Sequence, residues 1–220
     1  MKVCVYTVIT GNYDKLRQPK VVNPEWDYIC FTDQKVSSDI WQIRFIPKEV
    51  SELSNVKKQR YIKINHHKVL PEYDLTIYID ASMEIIKDLG ELIDINYDFI
   101  ACKHPFRNCI YDECAAVVKG KRDTIENVNR VYTKYQSENY PAHNGLIETG
   151  FMIRKNTPYV NEIMESWWDE VLNYSHRDQL SLNYVLWKQS KTPKIINVTY
   201  RPPNKYINLY YHKTDRVKSY

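Results

Sequence analysis

The 220-residue chain contains no apolar run of the roughly 20 residues that a membrane-spanning helix requires. It also lacks any run of five like charges. Lys and Arg outnumber Asp and Glu by 31 to 27, and a net charge of +4 does not argue for nucleic acid as a partner. The five cysteines form no CxxC pair and their number is odd. Cys4, Cys30 and Cys102 lie in or beside apolar runs, so buried free thiols in a reducing, cytoplasmic setting are expected. There is no GxGxxG after the first apolar segment and no GxxxxGK[ST] anywhere, so the usual dinucleotide and P-loop signatures are missing. No internal repeat and no low-complexity linker breaks the chain, and its first residues have no small-residue cleavage site. They read as a strand, and the whole length reads as one domain.

What is present alternates between strand and helix patterns. Residues 2–9 form a first strand running into Gly11-Asn12-Tyr13-Asp14, a glycine-bearing turn. Residues 27–33 form a second strand closing on Thr32-Asp33, and residues 41–47 a third ending at proline. Residues 54–70 read as one helix with Ser54 as its N-cap. Arg60, Lys63 and His67 fall at i, i+3 and i+7 and share a face of it.

A buried strand, Leu75-Thr76-Ile77-Tyr78-Ile79, then runs straight into Asp80-Ala81-Ser82. Further strands are expected at 99–104, 145–154 and 195–200. Residues 106–143 are polar, with a helix near 121–137, and read as an insertion carrying loops over a site. Val160, Ile163, Met164, Trp167 and Val171 recur at helical spacing after Thr157-Pro158. Ser175 is expected to cap a helix running through Asp178 to Trp187. Strands alternating with helices predict an α/β domain with a mainly parallel central sheet flanked by helices.

Ligands of such sheets sit beyond the carboxyl ends of the strands, which is where Asp80 falls. Transfer from a nucleotide diphosphate needs a cation against the diphosphate, hard oxygen or imidazole ligands for that cation, and basic side chains. Asp80 is the first candidate metal ligand, Ser82 a second contact, and His212 a later partner with Lys213 beside it. Arg60 and Lys63 are placed to meet the diphosphate, although a solvated charged face would look the same. Glu148, between Gly145 and Gly150, is a carboxylate in an apolar strand and needs a partner or a task. Asp178 suits either a helix cap or the acceptor site. Nineteen tyrosines and five tryptophans suit sugar or base binding, or a packed core.

The order of these motifs resembles the glycosyltransferase-like family long catalogued as domain of unknown function 616. It is more distantly similar to GT-A-fold enzymes such as glycosyltransferase family 8. The resemblance implies a nucleotide-diphospho-sugar transferase with a GT-A-like (Rossmann-like) fold. Residues 1–85 would form the nucleotide-binding half and 86–220 the acceptor-binding half. Thr7, Gly11 and Asp33 would hold base and ribose, and Arg60, Lys63 and Lys213 the phosphates. Asp80, Ser82 and His212 would bind Mn2+ or Mg2+, with Ser82 standing where the DxD motif has its second carboxylate. Glu148 and Asp178 would serve sugar and acceptor. The donor would be a UDP-sugar and the acceptor a hydroxyl of a glycan; peripheral contact of the tyrosine-rich tail with a membrane is compatible with this. A binding module without turnover, and a hydrolase using Glu148 and Asp178 as paired acids, are the alternatives.

Overall fold

The computed structural model describes residues 1–198, 204–212 and 214. Its strands are β1 (Val3–Ile9), β2 (Asp27–Thr32), β3 (Gln42–Arg44), β4 (Leu75–Ile79), β5 (Met83–Ile85), β6 (Phe99–Lys103), β7 (Ile147–Lys155), β8 (Lys194–Ile196) and β9 (Ile207–Leu209). Its helices are α1 (Asn55–Ile64), α2 (His66–Val69), α3 (Ile110–Lys119), α4 (Ile125–Ser137), α5 (Pro158–Asn173) and α6 (Leu182–Lys188). Seven strands form the central sheet in the order β3-β2-β1-β4-β7-β6-β8, and β5 pairs with β9 in a small second sheet. Only β7 runs against its neighbours; the other central pairings are parallel. The expected α/β architecture with a mostly parallel sheet is therefore what the chain adopts.

Every residue of β1 and of β4 is buried, as expected of strands covered on both faces. The two faces have different covers. Tyr6, Val8, Ile29, Phe31, Tyr78 and Met152 pack with buried residues of α1 and α3 to α6. Val5, Ile9, Cys30, Ile77, Ile79 and Phe151 pack instead with Trp41, Met83, Ile85 and Leu209. The helices thus gather on one face, and the small sheet closes the other.

Several expectations change in detail. The helix foreseen over 54–70 is broken at Asn65, whose backbone leaves the helical region at φ −86° and ψ 50°. The carbonyls at its end are not wasted. Lys63 O accepts from Tyr6 Oη at 2.7 Å and from Arg154 Nη2 at 2.9 Å, and Ile64 O accepts from Arg154 Nη1 at 3.2 Å. Arg154 is fully buried, so it caps α1 from inside the protein. Residues 106–143 are not mainly loop. They hold α3 and α4, whose Ile110, Cys114, Val117, Val128, Val131 and Tyr135 belong to the helical-face core. Ser175 does not cap the expected helix. It donates to Asp123 Oδ2 at 2.5 Å and accepts from Arg177 N, and Asp178–Leu180 forms a short 3-10 turn before α6. The last expected strand is realised as β8, which ends at Ile196; Thr199 and Tyr200 lie outside the described residues. All five cysteines are free and buried, as expected.

Candidate functional site

The carboxyl ends of β1, β2 and β4 lie on one edge, and the start of antiparallel β7 reaches the same edge. At that edge the β6–β7 pairing shifts register. Ala101 faces Met152, but Cys102 faces Glu148. The bulge leaves Thr149, Gly150 and Phe151 outside the β6 ladder, and Asp80 N donates to Gly150 O at 2.9 Å. Such bulges re-aim side chains beside sites. Here the beneficiary is Thr149, which turns toward the helices.

Thr149 Oγ1 donates to Asp178 Oδ2 at 3.0 Å. The ammonium of Lys63 lies 2.5 Å from that same oxygen and 3.8 Å from Asp80 Oδ1. Arg60 Nε lies 3.2 Å from Asp178 Oδ1 and also donates to His176 O. Tyr78 Oη donates to Asp80 Oδ1 at 2.7 Å and accepts from Gln59 Nε2 at 2.7 Å. Trp167 Nε1 fixes the backbone by donating to Asp178 O. One charge network therefore runs from Asp178 through Lys63 to Asp80.

The two ends of the network differ in exposure. The Asp178 side chain is 3% exposed and that of Asp80 35%. Burial alone would raise the Asp178 carboxyl, but Arg60, Lys63 and Arg177 outweigh it and hold the group well below the usual carboxylate range. A carboxylate so strongly held is a weak proton acceptor. Lys63 is pushed below the usual lysine range by burial, which Asp178 and Asp80 offset only in part.

The expected nucleotide-binding residues are unevenly placed. Gly11 and Asp33 come together: Gly11 N donates to both oxygens of Asp33, at 2.9 and 3.1 Å, and both residues are exposed. Gly11 has φ +62°, and a Cβ there would lie 2.2 Å from the Asn55 side chain, so glycine suits the position on both counts. Thr7 departs from expectation. It sits inside β1 at 1% exposure, so the surface open to a ligand begins further along, at the Gly11 turn. Lys63 departs likewise, because a side chain 2% exposed turns its ammonium inward to two carboxylates rather than outward to a phosphate. Arg60 is 15% exposed and brings the network's positive charge closer to the surface.

Glu148 is buried opposite Cys102, whose side chain packs in the cluster on the small-sheet face. Its neighbour Thr149 points the other way, to Asp178, as successive strand residues do. Glu148 and Asp178 thus belong to opposite faces of β7. A paired-acid hydrolase needs its two carboxyl groups to flank one bond, so this placement counts against that alternative.

For a metal, the β5–β9 pair is informative. Tyr210 N donates to Ser82 O at 2.9 Å, so the C-terminal segment lies against the residues that follow β4. His212 and Asp80 each lie two residues from that bond. His212 Nδ1 is 2.7 Å from Asp14 Oδ2, and the ring lies 4.9 Å from that of Tyr13. A carboxylate on one imidazole nitrogen is the usual second contact of a metal-bound histidine, leaving Nε2 for the ion. Ser82 is buried and brings no second carboxylate. Among the described residues, no third carboxylate, thiol or imidazole joins Asp80 and His212 in a compact group. Asp80 and His212 offer one carboxylate and one imidazole, so a hard cation held there would take most of its ligands from phosphate and water. Lys213 lies outside the described residues.

Residues 1–212 match the family described as "TOD1/MUCI70, glycosyltransferase-like domain". The chain belongs to this family. A solved structure of the bifunctional glycosyltransferase WbbM, in its apo form, is similar in fold: TM-score 0.50 at 15% identity, covering 84% of this chain. The chain spans only 37% of that protein's length. No curated protein matches. The family and the fold agree with the expected glycosyltransferase-like domain, while the narrower likenesses to domain 616 and family 8 are not among these matches. No helix among the described residues is long and apolar enough to cross a membrane.

Tyr78, Gln59, Thr149, Asp14 and Arg154 were not singled out from sequence, yet they hold the site's charged groups in place. A signal existed for two of them. Tyr78 lies two residues before Asp80 and so points to the same face of the strand, and Thr149 adjoins Gly150.

Proposed function

We propose that this domain transfers a sugar from a nucleotide-diphospho-sugar, a UDP-sugar, to a hydroxyl of a glycan or related acceptor. The observation carrying this reading is the network Asp178–Lys63–Asp80, which holds one partly exposed carboxylate at the carboxyl end of β4 in a glycosyltransferase-like domain. The choice of a nucleotide-sugar donor follows from the resemblance of the motif order in the sequence to domain 616 and family 8. Residues 1–85 bind the donor, with the Gly11–Asp33 contact under the ribose. Residues 86–220 bind the acceptor; Glu148, buried on the face of β7 opposite Asp178, has no part in this reading.

Asp178 acts by position rather than as the base. It keeps Lys63 charged and aimed at Asp80, and it orients Arg60 toward the diphosphate. Asp80 and His212 would hold Mn2+ or Mg2+, which would neutralise charge growing on the departing diphosphate. Tyr78 and Lys63 fix the direction of the Asp80 carboxylate, and Asp14 fixes the His212 ring.

The test is a thermal-shift screen of UDP-, GDP- and CDP-sugars with and without Mn2+, followed by donor hydrolysis and transfer assays. A donor should raise the melting temperature by mass action, more with Mn2+, and Asp80→Asn should abolish the shift. A protein that neither binds nor hydrolyses any of these donors would sink the reading. Binding that leads to no hydrolysis or transfer would favour the module without turnover.

A further inference from the structure

The α3–α4 segment carries a second constellation, on residues the proposed transfer does not use. One ligand atom from each of Cys109, Asp112 and His143 falls within 4.8 Å of the others. Cys109 is the residue immediately before α3, Asp112 lies in its first turn, and His143 stands in the turn leading to β7. The three are brought together by the fold: Tyr111 Oη donates to Tyr140 O at 2.7 Å, which ties the start of α3 to the segment after α4. A cleft of about 660 Å³ opens beside them, lined also by Tyr132, Gln136 and Tyr140.

We propose that Cys109, Asp112 and His143 bind a zinc ion. Donor chemistry favours zinc over the hard cations: a soft thiolate and a borderline imidazole suit zinc, which also accepts a carboxylate, whereas Mg2+ and Ca2+ take oxygen. Charge favours it too, since a thiolate and a carboxylate neutralise a dication and the imidazole adds no charge. Tetrahedral zinc with bonds of about 2.0–2.3 Å separates its donors by roughly 3.4–3.6 Å. With the ligand atoms within 4.8 Å of one another, at most about 1.4 Å of closure is needed, which the exposed Asp112 and His143 can supply.

A second contact fits the same use. His143 Nδ1 lies 2.9 Å from Asn108 Oδ1. An amide oxygen there takes an N–H from the ring and presents the opposite nitrogen to a metal, as carboxylates and carbonyls do for metal-bound histidines. His143 is also held at φ +55°, where residues other than glycine are uncommon. On binding, zinc displaces the proton of the Cys109 thiol to solvent, and water from the cleft completes the coordination. The ion then clips the two ends of the α3–α4 segment together.

The probe is zinc chloride added to the full, chelator-treated chain. Equilibrium dialysis with elemental analysis should find one zinc per chain, and titration in two buffers of different ionisation enthalpy should show one proton released. Co2+ in place of zinc should give a thiolate-to-cobalt charge-transfer band. Cys109→Ser should remove that band, and His143→Ala and Asp112→Asn should each weaken binding at least tenfold. The two exposed-site variants keep the test valid if Cys109→Ser fails to fold. Asp80→Asn should leave this zinc in place, which separates it from any ion at the donor site. Absence of zinc binding, or binding unchanged in His143→Ala and Asp112→Asn, would overturn the proposal.

Discussion

Asp178 and Asp80 share one ammonium group and live in opposite circumstances. Asp178 is sealed in with Lys63, Arg60 and Thr149 around its carboxylate and Trp167 of α5 on its carbonyl. Asp80 is about one-third exposed and, among the described residues, its carboxylate meets the Tyr78 phenol and, at 3.8 Å, the same lysine. A buried carboxylate with this many partners fixes geometry, whereas a half-open one keeps an oxygen for a ligand. The lesson is that the network spends its rigidity at one end to aim the other. Removing the sealed end should therefore threaten the fold, and removing the open end should threaten only the chemistry.

The largest effect is expected from Asp178→Ala, which strands the buried Lys63 ammonium and the partly buried Arg60. Urea denaturation should show a loss of about 3–5 kcal/mol. A change under about 1 kcal/mol would mean the sealed end does not hold the site together. Next comes Asp80→Asn. Turnover of the donor should fall about 100- to 1000-fold, while the unfolding free energy shifts by less than about 1 kcal/mol, as for half-exposed pairs. Near-native turnover in this variant would erase the distinction between the two ends.

Acid should sharpen the comparison further. The Asp178 carboxyl is held below its unfolded value, so its stabilisation is complete above about pH 4 and is withdrawn as pH falls below that. The melting temperature of the native chain should thus fall more steeply below about pH 4 than that of Asp178→Asn. Parallel acid profiles would show that Asp178 is not the linked group. The smallest effect belongs to Tyr78→Phe, which removes the bond that directs Asp80. It should cost about 1 kcal/mol in stability, and a donor KM raised with stability intact would place the phenol's role in the ligand-bound state.

The parts of the fold that were legible share a local signal. β1, β2, β4, β7 and α5 announce themselves through uniform burial or helical spacing. α3 was missed because its N-cap is Cys109, which makes no side-chain capping bond and gives no start signal. β5 and β9 have three residues each and exist only through pairing with one another, so neither has a period to read. The site was half legible for the same reason. Asp80 could be placed from its own strand, but the inward turn of Lys63 depends on Asp178, a partner on a distant segment. Likewise the open nitrogen of His212 depends on Asp14, at the other end of the chain.

The β5–β9 pair also sets a timetable. As the chain leaves the ribosome, the seven-stranded sheet is complete once Ile196 has emerged, and with it the Asp178–Lys63–Asp80 network. β9 comes later, and it must find β5 across more than a hundred residues, as Asn208 does in donating to Glu84. Closing so long a loop is slow relative to local structure. The proposed donor site would thus stay without His212 until after the central sheet has formed, so the sheet would fold before the site could react.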